Sequence, residues 1–419
     1  MIPLEKNNIP TGYKDSAVGI IPQEWEVKRL AELCQNTGDY GINAPAVPYR
    51  EDLPTYLRIT DIDSWGKFIK TDKASVDNPN SSQFILRDGD IVFARTGATV
   101  GKTYLYDSKD GQLVFAGFLI RFTPNSNKAV PYYIKACTET VSYWNWVRVI
   151  SQRSGQPGIN SVEYGAMKLA VPPMEEQRKI AEILGVWDEA IEKQSRLIER
   201  LEVRKRALMQ RLLTGRVHLS GFTTPWQKFS YSEVLKEVKR KMNWDDNEEY
   251  DLISVKRRSG GLFHRESLFG RDIKTKNLRP TLKGDFLISK MQIVHGASGL
   301  VTEEFDGMKI SGSYIALIAK DDKLVDMSFI NWYSKTPYFY HQTYVSSYGV
   351  HIEKMTFDLE SFMSMSIWLP DLPEQEAIAE VLTAADNEIA THRKKLDAIR
   401  LQKRGLMQQL LTGKTRVKI

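Results

Sequence analysis

The chain has 419 residues, 26% of them charged and 42% hydrophobic, with a net charge of +6. No apolar run is long enough to span a bilayer, and the opening Met1-Ile2-Pro3-Leu4-Glu5-Lys6 lacks the apolar core of a signal peptide, so a soluble cytoplasmic protein is expected. Cys34 and Cys137 are the only cysteines and have no ligand-like spacing, which argues for a reduced compartment and against a structural zinc.

Residues 1–172 have the size and mixed composition of one domain with strand-like runs. Pro22-Gln23-Glu24-Trp25 opens it. Gly89-Asp90-Ile91-Val92-Phe93-Ala94-Arg95 reads as a turn leading into a short apolar strand that ends on a cation. The following Thr96-Gly97-Ala98-Thr99-Val100-Gly101-Lys102-Thr103 imitates a phosphate-binding loop, but Thr96 stands where that motif needs glycine. Tyr104-Leu105-Tyr106 then favours another strand over the helix a phosphate cradle needs. A glycine-rich hairpin presenting Arg95 and Lys102 is the better reading. Near the end of the domain, Ser154-Gly155-Gln156-Pro157-Gly158-Ile159-Asn160 combines glycine hinges with small hydrogen-bonding groups, which suits either a reader of base edges or an ordinary turn-rich connection.

Residues 173–215 form the first of two long helical segments. Ile180, Leu184, Trp187, Ile191, Ile198, Leu201, Leu208 and Leu212 mark a heptad seam, which predicts a coiled coil. Pro172-Pro173 signposts entry, and Thr214-Gly215 marks exit. From Gln177 to Leu213 such a rod is roughly 55 Å long at about 1.5 Å per residue. Arg196, Arg200, Arg204, Lys205, Arg206 and Arg211 crowd its second half, where they serve either nucleic acid or the helix dipole.

Residues 216–370 look like a diverged copy of the first domain. Pro225-Trp226 answers Pro22 to Trp25, Gly284-Asp285-Phe286-Leu287-Ile288-Ser289-Lys290 answers the strand ending at Arg95, and Ser311 to Leu317 answers Ala116 to Phe122. Arg257-Arg258-Ser259-Gly260-Gly261 suits phosphate contact. Ser346-Ser347-Tyr348-Gly349-Val350-His351-Ile352 occupies the place of the Gln156 loop. Residues 371–419 then repeat the rod at a constant offset of 198, so that Ile378, Leu382, Ala385, Ile389, Leu396, Ile399, Leu406 and Leu410 fall on the same seam. Its polar interruptions repeat in register, Gln194 with His392 and Lys205 with Lys403; they either set register or leave a solvated gap. The expected fold is therefore α/β (α+β), two similar domains separated by two long helices that pair as an antiparallel coiled coil with an intramolecular pseudo-twofold.

Catalytic signatures are missing from this pattern. The triplets Glu26-Val27-Lys28 and Glu237-Val238-Lys239 match half of a metal-dependent nuclease site, a match common by chance. The six histidines are scattered, without a zinc hydrolase's helical pair. A non-catalytic chain is expected, either a DNA reader or a coiled-coil scaffold without sequence reading, and divergent loops on matched scaffolds favour the first.

Gly12-Tyr13-Lys14-Asp15-Ser16, Gly19 to Trp25, Arg95 to Lys102, and the twin Glu-Gln-led helices ending Leu-Leu-Thr-Gly resemble the specificity subunit of Type I restriction-modification systems. The resemblance covers essentially the whole chain, although the second domain lacks the Gly-x-x-x-Gly-Lys turn after Lys290. It implies two target-recognition domains, each reading one half of a split double-stranded DNA site, with the helices fixing the gap. It implies two modification subunits carrying S-adenosylmethionine, which flip and methylate an adenine, and restriction subunits using ATP and Mg2+, with no cofactor or metal in this chain. For DNA, the loops that end each domain and the cation-ending strands make Arg95, Lys102, Ser154, Gln156, Asn160, Lys290, Ser347, Tyr348 and His351 the candidate contacts. Glu176, Gln177, Ile180, Glu374, Gln375 and Ile378 are the candidate methyltransferase contacts, with internal capping and core packing as their other reading.

Overall fold

The computed structural model describes residues 9–152 and 155–419. Two helices dominate, Met174–Leu212 and Leu372–Leu410, each of 39 residues. Both stop where the sequence supplies a glycine: Gly215 and Gly413 take φ of 65° and 69°, the left-handed exit that a Cβ disfavours. Entry differs slightly from expectation, because Pro373 lies inside the first turn of the second helix rather than before it.

The chain divides into two compact units, one of Met1–Gln194 with Lys395–Ile419 and the other of Ser195–Lys394. Each long helix thus gives its first half to one unit and its second half to the other. In the first unit, Glu176 pairs with Arg416 and Asp188 with Lys403. In the second, Glu202 pairs with Arg393 and Lys205 with Asp386. Within each unit residue numbers rise along one helix as they fall along the other, so the halves run antiparallel.

The seam behaves as its spacing predicts. Ile180, Leu184, Ile198, Leu201, Leu212, Ile378, Leu382, Ile389, Leu396 and Leu410 are buried, while Trp187, Ile191, Ala385, Ile399, Leu208 and Leu406 are half-buried. In the first unit Ile180, Leu184, Met407, Leu410 and Leu411 share one core with Trp25, Phe93, Phe122 and Tyr133. In the second, Leu212, Leu213, Ile378 and Leu382 share one with Tyr231, Phe286, Phe329 and Phe362. The helices are therefore part of each domain's interior.

The domains repeat one topology. The first has an antiparallel sheet in the order Asp39–Tyr40, Leu119–Phe122, Ile91–Ala94, Thr103–Leu105. The second has Leu235–Glu237, Tyr314–Ala319, Phe286–Ser289, Ser298–Leu300 in the same order. Each adds a second four-stranded sheet containing one parallel pair, Leu113–Phe115 with Thr55–Leu57 and Glu249–Val255 with Lys309–Ser311. Glu26–Arg29 pairs with Lys168–Val171, and Gln227–Ser230 with Ser366–Leu369, so that in each domain an early strand lies against the last one, immediately before the helix.

The Gly97 to Lys102 segment turns the chain from Ile91–Ala94 into the antiparallel Thr103–Leu105, a hairpin rather than a strand-to-helix cradle. Glu26 and Lys28 pair with each other on a partly exposed strand, and Glu237 at the end of its strand pairs with Lys239.

Candidate nucleic-acid interface

In the first unit the cation-ending strand and the glycine-rich loop before the helix come together. Arg95 N–H donates to Phe118 O, and Arg95 O accepts from Ile159 N at 2.9 Å. Gly97 N–H donates to Pro157 O, and Thr96 bridges to Gly158. Gly97 takes φ of 72°, a conformation that favours glycine, with Gln156 Nε2 2.9 Å from where a Cβ would stand. The Arg95 guanidinium lies 4.8 Å from the Tyr40 ring centre, and the Tyr40 hydroxyl accepts from Ser161 N. The ring attracts the cation electrostatically and holds it near the loop.

Two of the candidates beside it are committed elsewhere. Lys102 Nζ donates to Ile62 O at 3.0 Å, and Asn160 Oδ1 caps the short helix Ser161–Gly165 by accepting from Glu163 N. Arg95 and the exposed Gln156 are the pair this unit holds ready; Ser154 lies outside the described residues.

The second unit repeats the arrangement with different side chains. Lys290 N–H donates to Ser313 O, and Lys290 O accepts from Phe357 N at 3.0 Å, the counterpart of the Arg95 to Ile159 bond. The loop is a ribbon, Ser347–Tyr348 paired with Thr356–Phe357. Ser347 Oγ donates back to Thr343 O, whereas Tyr348 is 65% exposed and His351 is exposed at the start of the turn Ile352–Lys354. Lys290, Tyr348 and His351 thus sit around one loop base. Sequence reasoning missed Tyr40, and it missed Phe118, 58% exposed at the turn that receives Arg95. Phe118 was visible as an aromatic between two glycine-flanked strands; nothing local marked Tyr40.

The six residues offered as methyltransferase contacts, with internal capping and core packing as their other reading, are buried within this chain, each at most 1% exposed. Glu176 accepts from Trp25 Nε1 at 2.9 Å and from two nitrogens of Arg416. Glu374 accepts from His218 Nδ1 and Leu219 N. Gln177 accepts from Val130 N and donates to Lys128 O and Pro172 O; Gln375 accepts from Asp326 N and donates to Leu324 O and Pro370 O. Ile180 and Ile378 are core residues. The repeated Glu-Gln is a clamp between each domain and its own helix, with its hydrogen-bonding groups used internally.

Among the described residues no three His, Cys, Asp or Glu side chains are grouped to hold a metal ion, and no helix is long and apolar enough to cross a membrane. Burial pushes the Cys34 and Cys137 thiols up to about 12, far from reactive thiolates.

Paired domains with matched scaffolds and unlike loops, each clamped to long helices, define a two-part recognition protein. The family model for the Type I restriction modification DNA specificity domain matches residues 22–203 and again 224–401, and the chain belongs to that family. It is similar to the putative type I restriction enzyme MjaX specificity subunit of Methanocaldococcus jannaschii, 26% identical over 97% of each chain. It is also similar to the MjaVIII specificity subunit of the same organism, 22% identical over 95% of this chain and 94% of that one. Among solved structures, the S subunit of a type I system from M. genitalium aligns with a TM-score of 0.57 at 11% identity, covering 92% of this chain and 96% of that one. A chain from work on complex assembly and conformational transition of the type I R-M system aligns at 0.55 and 17%, covering 94% and 99%. The protein is a specificity subunit with two recognition domains; its role is DNA recognition within a restriction-modification complex, and it is not a catalytic subunit.

Proposed function

We propose that each unit reads one half of a split double-stranded DNA site, the first with Arg95 and Gln156, the second with Lys290, Tyr348 and His351. Lys102, Asn160 and Ser347 shape the loops that carry them. The observation behind this reading is the shared bond from the loop to the cation-bearing strand, Ile159 N to Arg95 O and Phe357 N to Lys290 O, with different side chains built on it. Matched backbones with unlike side chains suit unlike half-sites.

Two modification subunits carrying S-adenosylmethionine methylate an adenine in each half, and restriction subunits add ATP- and Mg2+-dependent cleavage. The long helices serve as the spacer; 39 residues at about 1.5 Å each give roughly 58 Å. Since the Glu-Gln clamps are buried, partner docking falls to the outer helix faces. Val203 and Leu401, at equivalent positions of the repeat, are 56% and 67% exposed and support that placement.

Single-molecule sequencing of genomic DNA from cells expressing the modification subunit with and without this chain tests the reading. One split motif, methylated on adenine in both halves and dependent on this chain, is expected. An associated complex that produces no new motif would favour the scaffold reading instead.

A further inference from the structure

The hairpin joining Glu249–Val255 to Leu262–Phe269 has no assigned role, and it contains unusual backbone. Arg258 and Ser259 are consecutive non-glycine residues with φ of 58° and 53°. With Gly260 N–H donating to Arg257 O they are the two central residues of a tight hairpin turn, positions usually filled by asparagine, aspartate or glycine, so an Arg-Ser pair there leans on surrounding contacts. Here those contacts are explicit. Arg258 N–H donates to His295 O at 2.7 Å and Ser259 N–H to Gly296 O at 2.9 Å. Ser259 Oγ and the Tyr340 hydroxyl are 2.7 Å apart. Gly296, at φ of 73°, lets Tyr340 in, because a Cβ there would stand 1.8 Å from that hydroxyl.

The turn is also tied to the second unit's recognition loop. Arg257 Nη2 bonds Glu353 at 2.9 Å, and His295 Nε2 lies 3.3 Å from the same carboxylate without hydrogen-bond geometry. Glu353 belongs to the turn Ile352–Lys354 that follows His351. The result is an exposed Arg258 on an over-determined turn beside the recognition loop, and among the described residues no hydrogen bond or ion pair engages its guanidinium. Arg257 next to it is paired with Glu353, and Arg258 is not.

We infer that Arg258 is a base-reading residue of the second domain, presenting its paired donors to the O6 and N7 acceptors of a guanine in the major groove. An arginine that only met phosphate would need neither a fixed backbone nor a neutralised neighbour, since phosphate contact tolerates many geometries. Bidentate guanine recognition does need a fixed fork. In the first domain the strand at the same place in its sheet, Thr55–Leu57, reaches its antiparallel neighbour Ala74–Ser75 through the long stretch 58–73 instead of a tight turn, so the contact is assigned to one half-site. This inference rests on the half-site reading above.

The test uses the full chain with its modification subunit, as wild type, Arg258→Ala and Arg258→Lys, scored by genome-wide adenine methylation and by duplex binding across salt. If the wild type gives no split motif, the half-site reading itself fails. With that motif present, both variants should relax one G·C position in one half, losing roughly ten- to hundredfold discrimination there. The other half should stay unchanged. Arg258→Lys should keep the wild-type salt dependence. Retention of full discrimination by Arg258→Lys, or failure of any single position to relax, would overturn the inference. A uniform loss of affinity with the salt slope reduced by about one would identify a phosphate contact instead.

Discussion

A carboxylate without exposed surface needs hydrogen-bond donors, and the two units supply them differently. Glu176 is held by Arg416, whereas Glu374, at the repeated position, is held by His218, which is itself 198 residues before Arg416. A second divergence lies where each domain's own helix meets the rod. Counting from the backbone groups that the two glutamines hold, Glu139 and Lys335 are equivalent. In the first unit Lys403 Nζ bonds Asp188 at 2.8 Å and reaches Glu139 at 3.4 Å. In the second, Lys205 and Lys335 both stand over Trp332 beside the single carboxylate of Asp386. Burial depresses the Lys335 amine to about 8, with Asp386 opposing and Lys205 adding to the shift. The ring face 3.8 Å from Nζ offsets part of that cost. A lysine with a lowered folded-state pKa binds protons less well than in the unfolded chain. Its penalty is therefore full below about pH 8 and fades as the pH rises from there to its ordinary value of 10.5. Lys335→Met should thus stabilise the protein by about 1–3 kcal/mol at pH 7 and by little near pH 10. Denaturant melts at the two pH values check this; an equal effect at both would remove the titration argument.

At the level of the element, polar seam positions distinguish the paired helix halves. Asp188 with Lys403 and Asp386 with Lys205 are the same pair, copied by the repeat. Reversing each pair has unequal consequences. Asp188→Lys with Lys403→Asp places the new carboxylate beside Glu139 and should recover little of the loss from either single change, about 2–4 kcal/mol. Lys205→Asp with Asp386→Lys places a carboxylate near Lys335 and should recover most of it. Double-mutant cycles measured by chemical denaturation decide the matter, and equal recovery in both units would contradict the charge assignment. The pairing itself was legible in the sequence, because Ile180, Leu184, Ile378 and Leu382 recur at helical spacing and a seam must be covered. The Glu-Gln clamp was not. Periodicity reports apolar positions, and nothing local shows that a polar side chain such as Gln177 will find two backbone partners, Lys128 O and Val130 N, in a distant loop. The loop carrying Arg95 was located correctly, but the diversion of Lys102 to Ile62 O depends on a long-range fold contact. The hairpin around Arg258 was seen only as a basic loop, since Leu262–Phe269 alternates weakly and mostly faces solvent.

At the scale of the whole molecule, the chain order and the folded units differ. The first recognition domain is completed by Lys395–Ile419, the far end of the sequence. Tyr13 hydroxyl bonds Gly413 O at 2.8 Å, Arg416 reaches Glu24 and Glu176, and Met407 and Leu410 cover Ile180 and Leu184. Ending the chain at Lys394 should therefore loosen the first domain while leaving the second folded. Hydrogen exchange would show faster exchange around Ile91–Ala94 and Tyr133 and unchanged protection of Phe286–Ser289 and Phe329. Equal loss in both would mean that the units are not separately stable.

The same closure governs how the protein emerges during synthesis. The domain made first is the last to be finished. After Gln194 leaves the ribosome, the rest of the chain needs roughly 10 to 45 s at about 5–20 residues per second. Through that interval Ile180 and Leu184 lack the helix that covers them, while the second domain has all its pieces by Lys394. A nascent specificity subunit thus carries an open apolar stripe while the whole of its second unit is being made, and chaperones or neighbouring nascent copies meet it first.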